Sequence, residues 1–256
     1  MPRRDWTRDE LILAMNLYCQ LPFGRMHKGN PEVIALANAI GRTPSSVAMR
    51  LVNLASLDPV HQERGVKGLS GVSEGARAIW HEFHGDWERL SVESEALKES
   101  RHIPTVDATV ESMIDSDSYA GETEGVADVR IRLAQRFFRR SVLASYESRC
   151  CVTGISIPQL LIASHILPWS SFPEHRIDPR NGLCLSRIHD AAFDQGLITF
   201  DEDFRLVLST EILHLASNTV MRAAFHAFEG IVLRLPSKFR PPPDFLLKHR
   251  TDIFKR

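Results

Sequence analysis

The sequence predicts an α+β protein with a helical N-terminal domain and a C-terminal domain of short strands and one helix. Apolar residues recur at helical spacing through the first 90 residues. Residues 91–129 are acidic and poor in large apolar side chains. Residues 150–196 then follow the order strand, turn, strand, polar loop, ordered stretch and helix. We therefore expect a helical domain over 1–95, an acidic and partly disordered linker over 96–128, and a second domain over 129–256.

The composition places the chain among ordinary globular proteins. It has 256 residues, 43% hydrophobic and 25% charged. No apolar run reaches the roughly 18 residues of a membrane span, and the N-terminus lacks the apolar core of a signal peptide. The four cysteines form no C-x-x-C pair, so we expect reduced thiols and a cytoplasmic location. A structural zinc site on Cys150, Cys151 and Cys184 is a weaker alternative without ligand-pair spacing.

The net charge of −1 hides an uneven distribution. Residues 91–129 hold 10 acidic and 2 basic side chains, whereas residues 130–256 hold 18 basic and 12 acidic ones. A basic C-terminal half beside an acidic middle favours DNA as a partner and gives no sign of a membrane.

Helix caps organise the N-terminal domain. Thr7 and Glu10 have the spacing of a capping box, and Asn30 and Thr43 each precede a proline suited to a first helical turn. Gly41 suits a left-handed turn between two short helices, so this part is helix-turn-helix-like. A single helix is expected over "SEGARAIWHEFHGDWERL", with its aromatic residues in the core.

Two sets of polar residues are candidates for DNA contact. Thr43, Ser45, Ser46 and Arg50 are expected to face outward from the second short helix, together with Asn53. Arg136, Arg139 and Arg140 are expected on the basic face of an amphipathic helix near the start of the second domain. Helical hairpins that only pack are common, so a protein partner or dimer contact stays open for the first set, and a solvated face for the second.

The segment "ASHILPWSSFPEHRIDPRNGLCLSRIHDAAFDQG" brings two histidines and an asparagine together in a short span. With "CVTG" before it, the segment resembles an HNH endonuclease of the ββα-metal class, in the branch of restriction and mobile-element enzymes. The resemblance covers about residues 130–200. Many neighbours in fixed order make it far more specific than a lone pattern of histidine, asparagine and histidine.

The resemblance implies three catalytic residues and a divalent metal ion. His165 would be the general base, a role that also suits a histidine near neutral pKa. Asn181 would orient the base by bonding backbone across the loop. His189 would bind the metal, with Mg²⁺ the first expectation and Mn²⁺ or Ni²⁺ as alternatives. Ser164 departs from the family, which often has Asp or His there, so the second ligand is Ser164 itself or a carboxylate, Asp194 or Asp190.

The predicted function is therefore metal-dependent hydrolysis of DNA phosphodiester bonds, in restriction or defence. The alternative is a non-catalytic DNA-binding regulator with a degenerate nuclease fold, for which Ser164 is the supporting feature. A homodimer is a further expectation, since paired nicks require two active sites.

Overall fold

The protein is seen here in a computed structural model that describes residues 4–63, 65, 72–103 and 126–256. The chain divides into two compact units, Met1–Ser145 and Tyr146–Arg256. Within the described residues, no helix combines the length and apolarity needed to cross a bilayer.

The first unit is built from helices around a central one. The helices are α1 (Arg8–Gln20), α2 (Pro31–Ala39), α3 (Pro44–Ala55), α4 (Pro59–Glu63), α5 (Glu74–Phe83), α6 (Trp87–Ser100) and α7 (Val126–Ser145). Residues 10–19 of α1 are all buried, which suits a helix surrounded by others. Helices α3, α5, α6 and α7 pack against α1.

The predicted caps are confirmed. Thr7 and Glu10 form both bonds of the capping box. Asn30 and Thr43 cap α2 and α3 through their side chains, each with a proline in the first turn. Gly41 has φ +63° between these helices, a value that favours glycine. The helical hairpin is therefore present, while its binding of DNA stays a prediction.

The single helix predicted over residues 73–90 is wrong, because Gly85 interrupts it. This glycine has φ +121°, and the chain begins a new helix at Trp87 with Asp86 as its cap. The aromatic residues Trp80, Phe83 and Trp87 are buried, as predicted.

Helix α7 belongs to the first unit rather than to the second. Its residues Phe137, Phe138 and Val142 are buried, and the Phe137 ring stacks with that of Trp87 at 6.4 Å between centroids. The boundary at Ser145 therefore lies beyond the predicted one at 129. Residues 96–100 of the expected linker are the end of α6, and residues 104–125 lie outside the described part.

The second unit combines two small antiparallel sheets with short helices. The strands are β1 (Leu161–His165), β2 (Gly182–Ser186), β3 (Ile198–Phe200) and β4 (Leu206–Leu208). The helices are α8 (Arg187–Asp194), α9 (Thr210–Leu213), α10 (Thr219–Ala224) and α11 (Pro243–Asp252). β1 pairs with β2 and β3 with β4, the latter through the turn predicted at "DEDF".

The strand predicted at the start of "CCVTG" is wrong, because this stretch closes a turn. Gly154 has φ +75° and donates its N–H to the Cys150 carbonyl. Cys151 donates to the carbonyl of Cys184 at 2.8 Å, which holds the turn against β2. The first hairpin of this unit therefore consists of β1 and β2, and "NGLCLS" supplies its second strand.

Candidate active site

A two-stranded hairpin and the helix after it form the frame of the candidate site. β1 and β2 pair along their whole length, with His165 opposite Gly182 and Leu161 opposite Ser186. Helix α8 begins at Arg187, directly after β2, and packs against both strands. The end of β1 and one face of α8 therefore meet.

The side chain of Asn181 ties down the loop between the two strands. Its Oδ1 accepts the backbone N–H of Leu167 at 2.8 Å. Its Nδ2 donates to the carbonyl oxygens of Leu167 and His175, each at 3.1 Å. The residue is fully buried, so these bonds replace its contacts with water. Leu167 lies two residues after His165, and the asparagine thus fixes the chain next to that histidine.

The imidazole of His165 is held in one tautomer at the end of β1. Its Nε2 lies 2.8 Å from the carbonyl oxygen of Arg176. Since a carbonyl only accepts, Nε2 carries the hydrogen and the lone pair is on Nδ1. Burial lowers the pKa of His165, and the bond to Arg176 partly opposes that shift. The ring is therefore neutral at neutral pH, which is the state that accepts a proton.

Trp169 and Arg176 support His165 from the loop. The Trp169 ring meets the imidazole edge-on, at 5.5 Å between centroids. The Arg176 guanidinium lies 5.3 Å from the Trp169 ring centroid, and its Nε donates to the Trp169 carbonyl at 2.6 Å. No sequence pattern singles out Arg176, because an arginine in a polar loop is usually solvated.

A cavity of about 380 Å³ opens beside His165. Its polar lining comes from three elements and the loop, and consists of Ser164, His165, Trp169, Asp190, Asp194 and His249. Such a concave site with a few converging polar groups is the usual form of a small active site.

Asp190 and Asp194 share one face of α8, one turn apart. Loss of hydration raises the pKa of Asp190, while the neighbouring Ser164 hydroxyl and Arg187 oppose the rise. Loss of hydration and the charge of Asp190 together raise the pKa of Asp194 to about 6. Asp194 stays exposed at the cavity mouth, so water screens part of this repulsion. Two neighbouring carboxylates that have lost part of their hydration favour a bound cation.

The Ser164 side chain is directed to the same place. Ser164 is 2% exposed, and its Oγ makes no hydrogen bond of standard geometry. It is nevertheless close enough to Asp190 to lower the pKa of that carboxyl. The hydroxyl therefore lies beside the Asp190 carboxyl at the wall of the cavity.

His189 is not among the residues that line the cavity, and its metal-binding role stays a prediction. It is 1% exposed, and its Nδ1 lies 2.8 Å from the Ser186 Oγ. Its Nε2 makes no hydrogen bond of standard geometry, and burial lowers the pKa of His189 while the Ala224 backbone partly opposes that shift. The rings of Phe225 and Phe228 pack around it at 5.2 and 6.0 Å between centroids.

The four polar residues predicted around α3 differ in what they contact. Thr43 and Ser45 are exposed and Ser46 is half-buried, with the Thr43 hydroxyl capping the helix. Arg50 donates to the Ser73 hydroxyl at 2.6 Å, and its guanidinium lies 4.8 Å from the Trp6 ring centroid. Asn53 was expected to face outward, but it is 8% exposed because it lies on the side of α3 that packs inward.

The basic face predicted for α7 is partly used within the first unit. Arg140 forms an ion pair with Glu32 at 2.7 Å, and both side chains are largely covered. Arg136 and Arg139 are half-buried. Contact of these arginines with DNA stays a prediction, and Arg140 is the weakest candidate because its charge is already paired.

The cysteines offer no separate metal site. All four are buried free thiols, and the N–H groups of Thr153 and Ser186 point to the Cys150 sulfur. Among the described residues, no group of three or more His, Cys, Asp or Glu side chains is arranged to hold a metal ion.

Comparison with known proteins finds a similarity to one nuclease family over this region. Residues 150–201 match the HNH_2 family, described as HNH endonuclease. The match spans the turn, β1, the loop, β2, α8 and β3, and it supports a nuclease-type function. No curated protein matches the chain.

Proposed function

We propose that the second unit is a metal-dependent endonuclease that hydrolyses phosphodiester bonds in DNA. The observation that supports this most directly is one cavity that joins a neutral histidine to a carboxylate pair. The match of residues 150–201 to HNH endonucleases gives the reaction class.

In this proposal His165 is the general base. Its Nδ1 takes a proton from a water molecule, while Nε2 keeps its hydrogen on the Arg176 carbonyl. The water oxygen attacks phosphorus, the bond to the leaving sugar oxygen breaks, and that oxygen takes a proton from a solvent water molecule, while His165 later returns its proton to solvent. Asn181 keeps the loop, and so the base, in position.

Asp190, Asp194 and Ser164 would hold a divalent cation. This ligand set differs from the one expected from the sequence, because Asp190 replaces His189. Two carboxylates and a hydroxyl are oxygen donors of the kind that Mg²⁺ and Mn²⁺ prefer. Mg²⁺ is commonly bound by only one or two carboxylates plus waters and substrate phosphate, which fits this short set. When bound, the cation neutralises charge on the phosphate and the leaving oxygen.

The first unit is proposed to bind DNA through α3, with Thr43, Ser45 and Ser46 nearest to solvent. Restriction or defence is the proposed biological role, and a homodimer would supply two active sites for double-strand cleavage. These points rest on the resemblance of the sequence and on the helical hairpin.

Plasmid cleavage tests the nuclease proposal. Supercoiled plasmid, unmethylated or base-modified, is incubated with Mg²⁺, Mn²⁺, Ni²⁺ or EDTA. We expect metal-dependent breaks that fall at least about 100-fold in His165→Ala. His214→Ala is the matched control, since His214 is exposed in the same unit. Equal cleavage by His165→Ala and the wild type would overturn the assignment of the base.

A non-catalytic DNA-binding regulator is the second candidate, favoured by the small ligand set and by serine at position 164. It predicts salt-sensitive DNA binding with intact plasmid under every metal condition. Binding without breaks, in folded wild-type protein, would replace the nuclease proposal.

A further inference from the structure

The C-terminal segment outside the matched region forms one wall of the candidate active site. His249 and Ile253, on and just after α11, line the cavity together with His165, Asp190 and Asp194. The family match ends at residue 201, so nothing in it accounts for this wall.

His249 makes two directed bonds from a fully buried position. Its Nε2 lies 3.1 Å from the carbonyl oxygen of Phe193, so Nε2 is the donor. Its Nδ1 lies 2.9 Å from the Thr199 Oγ1, which donates to it. The ring also stacks face to face on the Phe193 ring, at 3.7 Å between centroids and 3° between planes. His249 is thus fixed to the last turn of α8 and to β3.

The backbone after α11 is in close contact with the backbone that follows α8. A Cβ atom on Gly196 would lie 2.1 Å from the carbonyl oxygen of Ile253, and Gly196 has φ +69°. Lys255 donates its N–H to the Gly196 carbonyl at 2.9 Å. Only glycine suits this position, because the close approach and the backbone conformation both exclude a side chain.

These contacts surround Asp194. Phe193, whose carbonyl His249 holds, precedes it directly, and Gly196 follows two residues later. The last carbonyl groups of a helix lack partners within the helix, and here the Phe193 carbonyl accepts from the Gly196 N–H as well as from His249. We propose that His249 is a positioning residue of the nuclease site, which fixes Asp194 through the Phe193 carbonyl. This inference rests on the proposed cation site.

Three substitutions of His249 in the full chain separate positioning from general stability. His249→Gln keeps an N–H donor near the Nε2 position, and His249→Asn keeps polar atoms only near Nδ1, by the lengths of the side chains. His249→Phe keeps the stacking and loses both bonds. Mn²⁺ affinity by calorimetry, kcat and KM on plasmid, and thermal unfolding are measured for each.

We expect His249→Asn and His249→Phe to bind Mn²⁺ about 10-fold more weakly and to lose about 10-fold in kcat, with KM for DNA unchanged. His249→Gln should stay within about twofold of wild type, in line with its retained donor. Lys248→Ala, an exposed neighbour on the same helix, should match wild type.

Two results would overturn the inference. Folded His249→Phe with wild-type Mn²⁺ affinity and kcat would show that the bond to Phe193 does not position the site. Equal losses in His249→Gln and His249→Phe, proportional to the folded fraction, would show a role in stability alone. A wild-type protein that binds no Mn²⁺ would instead overturn the proposed cation site, and the inference with it.

Discussion

A shift of one residue along α8 decides which side chain reaches the cavity. Successive residues of a helix point about 100° apart, so His189 and Asp190 face different sides. His189 faces Phe225 and Phe228, whereas Asp190 and Asp194 line the cavity. His189 thus packs among aromatic rings, and the two carboxylates supply negative charge where the proposal places a cation.

Replacing Asp190 should therefore abolish cleavage without unfolding the protein. We expect Asp190→Asn to reduce metal-dependent plasmid cleavage by at least about 100-fold, because it removes a charged ligand and leaves a nearly equal volume. Asp203→Asn, in an exposed turn of the same unit, is the control and should cleave normally. Cleavage by Asp190→Asn at the wild-type rate would remove Asp190 from the metal site.

Asp194 should make the metal-free protein less stable at neutral pH. Its folded pKa of about 6 lies above the ordinary value of 3.8, so its contribution to stability is complete below about pH 4 and is lost as pH rises through 6. We expect Asp194→Asn to raise Tm in EDTA at pH 7.5 and to leave Tm unchanged at pH 4. Mn²⁺ should raise the wild-type Tm and not that of the variant. A lower Tm for the variant in EDTA at pH 7.5 would contradict this.

The sequence identified the neighbourhood of the site better than its ligands. His165, Ser164 and Asp194 were selected as candidates, and all three line the cavity. The direction of His189 could not be predicted, because the phase of an eight-residue helix depends on where β2 ends and on which face packs. His249 lies 84 residues after His165, and its place in the cavity depends on tertiary packing that no local pattern encodes.

At the scale of elements, local signals predicted helix ends well and strands poorly. Caps at Thr7, Asn30 and Thr43 involve only near neighbours, so their chemistry is visible in the sequence. The pattern predicts a turn at Thr153-Gly154 with a strand before it, whereas the turn already begins at Cys150, since short apolar runs do not separate a strand from a turn. Its conformation depends on the bond from Cys151 to Cys184, which lies more than 30 residues away.

The loop between β1 and β2 is the element whose geometry depends on one amide. Asn181→Asp keeps the size of the side chain but replaces the Nδ2 donor by an oxygen that faces the carbonyl groups of Leu167 and His175. We expect a loss of about 2–4 kcal/mol in the free energy of unfolding, since buried acceptors would face each other. Cleavage should fall with it, because His165 is next to this loop.

Chemical denaturation and plasmid cleavage measure both effects. Ser171→Ala, at an exposed position of the same loop, serves as the control. If Asn181→Asp unfolds at the wild-type midpoint and cleaves normally, the loop is held by other contacts.

At the scale of the whole molecule, helix α7 closes the first unit. The sequence placed it in the nuclease domain because it precedes the motif and has a basic face. Its apolar face instead covers α1 and α6, through Phe137, Phe138 and Val142. The apolar face of such a helix can pack against the core of either unit, and the sequence of the helix alone is compatible with both.

The extent of the first unit can be tested with fragments. A fragment of residues 1–145 should unfold cooperatively, whereas a fragment of residues 1–128 should be less stable or only partly folded, because it leaves Trp87 and the facing side of α1 without cover. Loss of three buried apolar side chains alone corresponds to about 5–9 kcal/mol of burial free energy, which is comparable to the total stability of many domains. Circular dichroism during heating measures the Tm of each fragment. Phe137→Ala in the longer fragment should lower its Tm toward that of the shorter fragment. Equal Tm values for the two fragments would show that α7 is dispensable for this core, and would return the boundary to the position predicted from the sequence.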